Sequence, residues 1–135
     1  MPGNGPAARR GNQMAFSIDY DQERDVVICR FTGVFGLQEA DTYAMMMSTA
    51  LAEHDCKRIL LDGRDGRVGL STVDLYDLPS RLESHGVDRT WKRALVVDKQ
   101  TDEFRFYEDV SNNRGFRVKV FQDPDEALKW LTEED

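Results

Sequence analysis

The chain has 135 residues, of which 40% are hydrophobic and 32% are charged. That length suits a single domain, and the sequence lacks the apolar run of about 20 residues that a membrane helix needs. Its 25 acidic residues outnumber its 18 basic ones and leave a net charge of -7, which opposes non-specific binding to nucleic acid or to an anionic membrane. These values predict a soluble protein with one hydrophobic core.

Residues 1–14 are predicted to be a disordered tail, because they are rich in glycine and proline and offer little that a core could bury. The tail carries Arg9 and Arg10 but lacks the apolar stretch of a signal peptide. We therefore expect a cytoplasmic protein whose single domain spans 15–135.

Cysteines and histidines do not indicate a metal site. Cys29 and Cys56 are expected to be reduced and buried. His54 and His85 are expected at helix ends, where an imidazolium interacts favourably with the negative end of the helix dipole. The four residues lack the short paired spacings of zinc ligands. We expect neither a metal nor another cofactor.

The first elements are a β-hairpin. Apolar residues alternate with polar ones in 16–20, and after a turn Val27, Cys29 and Phe31 share one face of a second strand. Gly33 and Gly36 are expected to end that strand. A helix follows, because the apolar residues are then spaced three and four apart: Leu37, Ala40, Ala44, Met47 and Leu51.

Three strand–helix units complete the chain. The run 58–62 predicts a strand buried on both faces, followed by a glycine-rich loop over 63–69 and a helix opened by a capping box of Ser71 and Asp74. The buried side of that helix is predicted to hold Val73, Leu75, Leu78 and Leu82, and Pro79 is expected to bend the helix or end it early.

The last two units are predicted in the same way. A buried strand over 93–98 precedes a helix from Asp102, and an alternating strand over 116–121 precedes a helix that begins at Pro124. We expect Trp130 of that helix to pack on the sheet. The resulting order ββαβαβαβα predicts an α/β fold, with a mixed five-stranded sheet and four helices.

Four stretches resemble the STAS superfamily, and within it the small bacterial SpoIIAA-like proteins. They are Phe31-Thr-Gly33, Leu60-Leu-Asp62, Asn113-Arg-Gly115 and the segment 120–131 with its Glu126-Ala-Leu-Lys-Trp-Leu131. The resemblance implies a STAS-like fold, related also to the CRAL-TRIO lipid-transfer core, and it does not imply a reaction.

The same resemblance implies a regulatory site. In the anti-sigma antagonists, a partner kinase phosphorylates a serine at the start of the helix after the third strand, and phosphorylation breaks the complex. Ser71 and Thr72 lie at the matching helix start here. The Asp-Ser-x-Gly type of motif is absent, and a longer loop replaces it.

The glycine-rich loop is the first candidate site. Its backbone N–H groups and the following helix dipole suit an anion, with Arg64 and Arg67 adding charge beside Gly66 and Ser71 or Thr72 nearby. The alternative is a solvated loop whose glycines only permit its turns.

An apolar pocket or interface is the second candidate site. The first helix has more apolar residues than a core stripe needs, and the third helix carries an aromatic cluster. The alternative is ordinary core packing. The candidate residues are Tyr43, Met46, Met47, Phe104, Phe106 and Tyr107.

Two functions are compatible with these observations. The first is a non-enzymatic STAS-like regulatory module that binds a partner protein and is modulated at Ser71 or Thr72. The alternative is a carrier or sensor of a small apolar or lipid-like ligand. An enzyme ranks below both, because the sequence places no base beside a nucleophile. A homodimer is compatible with either function.

Overall fold

The computed structural model describes residues 15–133, so the predicted tail lies outside the described residues. Strands and helices follow one another in the predicted order, with one additional strand. The strands are β1 (Ala15–Asp21), β2 (Val26–Phe35), β3 (Arg58–Asp62), β4 (Gly66–Val68), β5 (Lys92–Val96) and β6 (Arg117–Phe121). The helices are α1 (Leu37–His54), α2 (Thr72–Ser84), α3 (Asp102–Asn113) and α4 (Pro124–Thr132).

The main sheet has the strand order β1-β2-β3-β5-β6. β1 is antiparallel to β2, and the remaining neighbours are parallel, with Val27 opposite Ile59 and Leu60 opposite Ala94. This confirms the predicted mixed sheet, in which a hairpin is followed by strand–helix units. Each parallel connection passes through a helix, as parallel pairing requires.

β2 is longer than predicted, because Gly33 does not end it. Gly33 has a φ of 86°, a conformation that glycine adopts at little cost, and the strand continues to Phe35. Before Gly33 the strand pairs with β3; after it, the strand pairs with β4, with Gly33 opposite Gly66. The predicted loop over 63–69 therefore contains a short sixth strand.

Helices cover both faces of the sheet. α1, α2 and α3 pack with Val27, Cys29 and Phe31 on one face, whereas α4 packs with Val26 and Leu60 on the other. The alternation of β2 explains this division, since successive side chains of a strand point to opposite faces.

One predicted detail of the helices is wrong, and the structure makes two others more specific. Val73 is 69% exposed rather than part of the buried side of α2, because it lies next to the exposed helix start. Of the two outcomes predicted for Pro79, an early end does not occur, since α2 continues to Ser84. Trp130 packs on the sheet as predicted, with its ring centre 5.8 Å from that of Phe121, but it is only half-buried, whereas Ala127 and Leu131 enter the core.

The outer edge of β6 is occupied by side chains of α3. Asn112 accepts a hydrogen bond from the backbone N–H of Val118 at 3.1 Å and donates to the Val118 carbonyl at 2.8 Å. Glu108 accepts from the N–H of Val120 at 2.6 Å. Backbone groups that would otherwise end at an open edge are thereby paired.

Candidate functional site

The glycines of the predicted anion loop are explained by packing. Phe31 is buried, and its ring lies against the backbone of the segment that follows β3. A Cβ on Gly63 would lie 2.6 Å from Cε2 of Phe31, and a Cβ on Gly66 would lie 2.3 Å from its Cε1. Only residues without a side chain leave room for this ring.

Arg64 forms a close ion pair with Asp62 at the end of β3. Its Nε donates to Oδ1 at 3.0 Å and its Nη2 to Oδ2 at 2.8 Å. The hydrogen bonds from Arg64 hold the pKa of Asp62 below its ordinary value. An anion would have to compete with this carboxylate for Arg64. Arg67 is exposed on β4 and contributes to the rim of a cavity described below.

Ser71 is the N-cap of α2, which confirms the predicted capping box. Its Oγ accepts a hydrogen bond from the N–H of Asp74 at 3.1 Å, and the carboxylate of Asp74 accepts from the N–H of Ser71 at 3.2 Å. Ser71 and Thr72 are both exposed. Both residues therefore lie on the surface at the start of α2.

A cavity of about 460 Å³ lies between the sheet and the helices α2 and α3. Its walls are mainly apolar. They include Phe31 and Phe35 from β2, Leu75, Leu78 and Leu82 from α2, and Val97 after β5.

The cavity contains half of the residues predicted to form an apolar pocket. Tyr43, Phe104 and Tyr107 line it, and the rim residues Gly66 and Arg67 connect it with the first candidate site.

The other three predicted residues do not line it. Met47 is fully buried in the core, Phe106 packs half-buried against the core, and Met46 lies in a separate shallow groove between α1 and β1. The six residues thus do not form one pocket.

Arg93 is the residue of this cavity that the sequence analysis missed. It lies on β5, lines the cavity and is only 5% exposed. Its Nη1 donates to the hydroxyl of Tyr107 at 3.2 Å, whereas its buried Nη2 has no hydrogen-bond partner among residues 15–133. The available sequence signal was a pair of cations, Lys92 and Arg93, at the start of a strand whose other residues are apolar.

Solved structures with the same fold are found, although no family model and no curated protein matches the chain. An anti-sigma factor antagonist from Mycobacterium paratuberculosis is 13% identical, with a TM-score of 0.61 over 92% of this chain and 98% of its own. The chain has a SpoIIAA-like fold.

Two further structures support this fold. An uncharacterised DUF3478-family protein from Shewanella loihica PV-4, described as having a SpoIIAA-like fold, is 20% identical, with a TM-score of 0.55 over 87% of this chain and 93% of its own. The anti-sigma factor antagonist SpoIIAA in its unphosphorylated form is 15% identical, with a TM-score of 0.52 over 87% and 97%. They confirm the fold that the sequence resemblance implies.

Both cysteines of this SpoIIAA-like domain are buried and unpaired, as predicted. Burial raises the pKa of the Cys29 thiol to about 12. Burial also raises the pKa of Cys56, whose Sγ lies 3.3 Å from the carbonyl oxygen of Asp25. Thiols that stay protonated at neutral pH are poor nucleophiles.

Two further properties of residues 15–133 concern metal binding and membrane insertion. Between residues 15 and 133, no three His, Cys, Asp or Glu side chains are grouped so that they could hold a metal ion. Within the same range, no helix has the length and apolar character needed to cross a membrane.

Asp41 and Arg81 join α1 to α2 by an ion pair. Arg81 Nε and Nη2 donate to the two carboxylate oxygens of Asp41 at 2.7 and 2.8 Å. These hydrogen bonds hold the pKa of Asp41 below its ordinary value of 3.8. A depressed pKa stabilises the fold above the unfolded-state value, and this contribution is lost as the pH falls through the folded-state value.

We therefore expect Asp41→Asn to lower the free energy of unfolding at pH 7 by about 0.2 to 1 kcal/mol, the range for partly exposed ion pairs. Urea denaturation at pH 7 and pH 3 should show the difference between wild type and variant shrinking at the lower pH. Asp102→Asn is the control, since its pair with Arg105 is far more exposed. An undiminished difference at pH 3 would contradict the electrostatic explanation.

Proposed function

We propose that this chain is a non-enzymatic cytoplasmic regulatory module that binds a partner protein through the surface at the start of α2. The α2-start surface comprises Val68, Ser71, Thr72, Val73 and Tyr76. The observation that carries the proposal is the exposure of its large apolar side chains, with Val73 at 69% and Tyr76 at 53%. Adjacent exposed apolar residues with polar neighbours are typical of protein interaction sites.

Charge and structural likeness support the same surface. The guanidinium of Arg114 lies 4.3 Å from the centre of the Tyr76 ring, so an aromatic ring and a cation are presented together. Both residue types are frequent among those that dominate binding energy. Two of the similar structures are anti-sigma factor antagonists, proteins whose name states that they oppose an anti-sigma factor.

Modification of Ser71 would change this surface locally. A phosphate adds about -1.5 to -2 charges at pH 7, and the Asp74 carboxylate bonded to the Ser71 N–H lies in the same turn. Repulsion between phosphate and carboxylate would disrupt the capping box, although the helix N-terminus itself favours an anion. Phosphorylation would therefore rearrange the beginning of α2 beside Val73.

The proposal is tested by affinity capture from native extract, followed by titration of the captured protein. We expect Val73→Asp and Ser71→Asp to weaken binding by roughly tenfold or more, as for residues at the centre of an interface. Ser71→Asn is matched to Ser71→Asp, because both residues cap helices and only one is charged.

Met45→Asp serves as the surface control, since Met45 is an exposed apolar residue on α1 outside the α2-start surface. A partner that binds wild type and all these variants equally would rule out the α2-start surface. If affinity capture finds no protein that wild type retains and Val73→Asp loses, the proposal as a whole is contradicted.

A second candidate function is favoured by a separate observation, the cavity of about 460 Å³ between the sheet, α2 and α3. Cavities of about 300 to 1,000 Å³ with mainly apolar walls are typical of small-molecule sites. The chain would then be a carrier or sensor of a small apolar or lipid-like ligand. Native mass spectrometry of freshly purified protein tests this, since a bound ligand adds a discrete mass.

A further inference from the structure

We propose that the cavity binds a small amphipathic carboxylate, with its head group at Arg93 and its apolar part along α2 and α3. This inference rests on the second candidate function and deepens it, because it names the class of ligand and the residue that recognises it.

The argument begins with the burial of a cation. Arg93 is 5% exposed, and an arginine remains protonated in proteins at any accessible pH. Its Nη1 donates to the hydroxyl of Tyr107 at 3.2 Å, and the ring of Phe116 lies with its centre 5.9 Å from the guanidinium carbon. The Tyr43 phenol also faces the guanidinium. Neither a phenol nor a benzene ring neutralises the charge.

A buried, incompletely paired charge is unfavourable unless an anion compensates it. Nη2 of Arg93 is inaccessible to solvent and has no hydrogen-bond partner among the described residues. Because Arg93 lines the cavity, an anion inside the cavity is positioned to pair with it. The cost of burying Arg93 is then offset in the complex.

The shape of the cavity indicates which end of the ligand lies where. Arg93, Tyr43 and Leu82 are buried and form the inner end, whereas Arg67 and Lys99 are exposed and form the rim. Arg93 and Val97, the residue after β5, are four positions apart in the chain, or roughly 13 Å at the usual rise of a strand. A molecule that reaches Arg93 must therefore pass along apolar walls, which selects for an apolar tail.

Charge balance favours a carboxylate head. One guanidinium neutralises one negative charge, so a buried dianion such as a phosphate monoester would leave an excess charge at the inner end. A neutral alcohol would leave the cation unpaired. The acidic lining residues Asp98 and Glu103 are exposed at the rim, remote from the inner end, and do not compete for Arg93.

The test uses decanoic acid and decan-1-ol, two probes with the same chain and different heads, titrated into the whole protein by isothermal calorimetry. We expect wild type to bind decanoate roughly 10- to 100-fold more tightly than the alcohol, the range for a hydrogen bond to a charged group. Arg93→Met should remove that preference and leave binding of the alcohol unchanged. Arg105→Gln, a change at an exposed arginine of α3, should behave as wild type.

Folding is checked by thermal denaturation of each variant. If Arg93→Met is unfolded, Arg93→Lys takes its place, because it retains the charge but loses the planar guanidinium, and decanoate should bind it more weakly than wild type. Equal binding of both probes to wild type would overturn the role of Arg93 while leaving an apolar-ligand carrier intact. Binding of neither probe would overturn the inference and the carrier function together.

Discussion

Replacing Leu131 with alanine is expected to lower the free energy of unfolding by about 2 to 5 kcal/mol, the range for removing a buried leucine side chain. Leu131 is fully buried on α4, and it packs in the cluster that contains Val26, Leu60 and Val96. α4 is the helix that covers this face of the sheet, so neighbouring helices cannot close the space that the substitution leaves. Urea denaturation measures the loss.

Trp130→Ala provides the comparison within the same helix. The indole is half-buried, with its ring centre 5.8 Å from that of Phe121 and 4.6 Å from the Nζ of Lys92. We expect a smaller loss than for Leu131, although tryptophan is the larger residue, because much of the ring stays in contact with water. A greater loss of unfolding free energy for Trp130→Ala than for Leu131→Ala would show that burial does not determine how much each residue stabilises the fold.

Replacing Gly66 with alanine is expected to lower the free energy of unfolding by about 1 to 3 kcal/mol, as for overpacked cores. A Cβ at this position would lie 2.3 and 2.5 Å from two ring carbons of Phe31. The ring cannot move away freely, because Gly63 lies against its opposite edge, where an added Cβ would be 2.6 Å from Cε2. Relief of the clash would separate β4 from β2, where Gly66 pairs with Gly33.

Asp65→Ala is the matched control for this prediction, since Asp65 is the exposed neighbour of Gly66 in the same segment. Surface substitutions usually change stability by no more than about 0.5 kcal/mol. Thermal and urea denaturation should therefore show a clearly larger loss of stability for Gly66→Ala than for Asp65→Ala. Equal stability of Gly66→Ala and Asp65→Ala would show that the ring of Phe31 accommodates a methyl group.

Elements whose pattern is dictated by burial were predictable from the sequence. The strand over 58–62 was predicted to the residue, because an apolar run without alternation fits only a strand covered on both faces. The capping box of Ser71 and Asp74 was equally clear. The continuation of β2 through Gly33 was not predictable from the sequence. A glycine at positive φ inside a strand has the same sequence pattern as a glycine in a turn.

The candidate site was only partly predictable, because convergence of side chains depends on tertiary packing. Tyr43 and Tyr107 lie on different helices and meet at one cavity, whereas Met47 enters the core on the stripe predicted for α1. Arg93 was missed because a cation at the start of a strand is usually exposed. It is buried because its side chain packs against Tyr107 of α3 and Phe116, which the sequence alone does not place beside it.

The pairing of β6 with α3 has a consequence for assembly. Asn112 already pairs with the N–H and carbonyl of Val118, and Glu108 pairs with the N–H of Val120, so a strand from a second molecule could not form a regular ladder there. At the opposite end of the sheet, β1 pairs only with β2 among the described residues. Of the two outer strands of the main sheet, β1 is therefore the one from which a homodimer that continues the sheet, or a misfolded fibre, could grow.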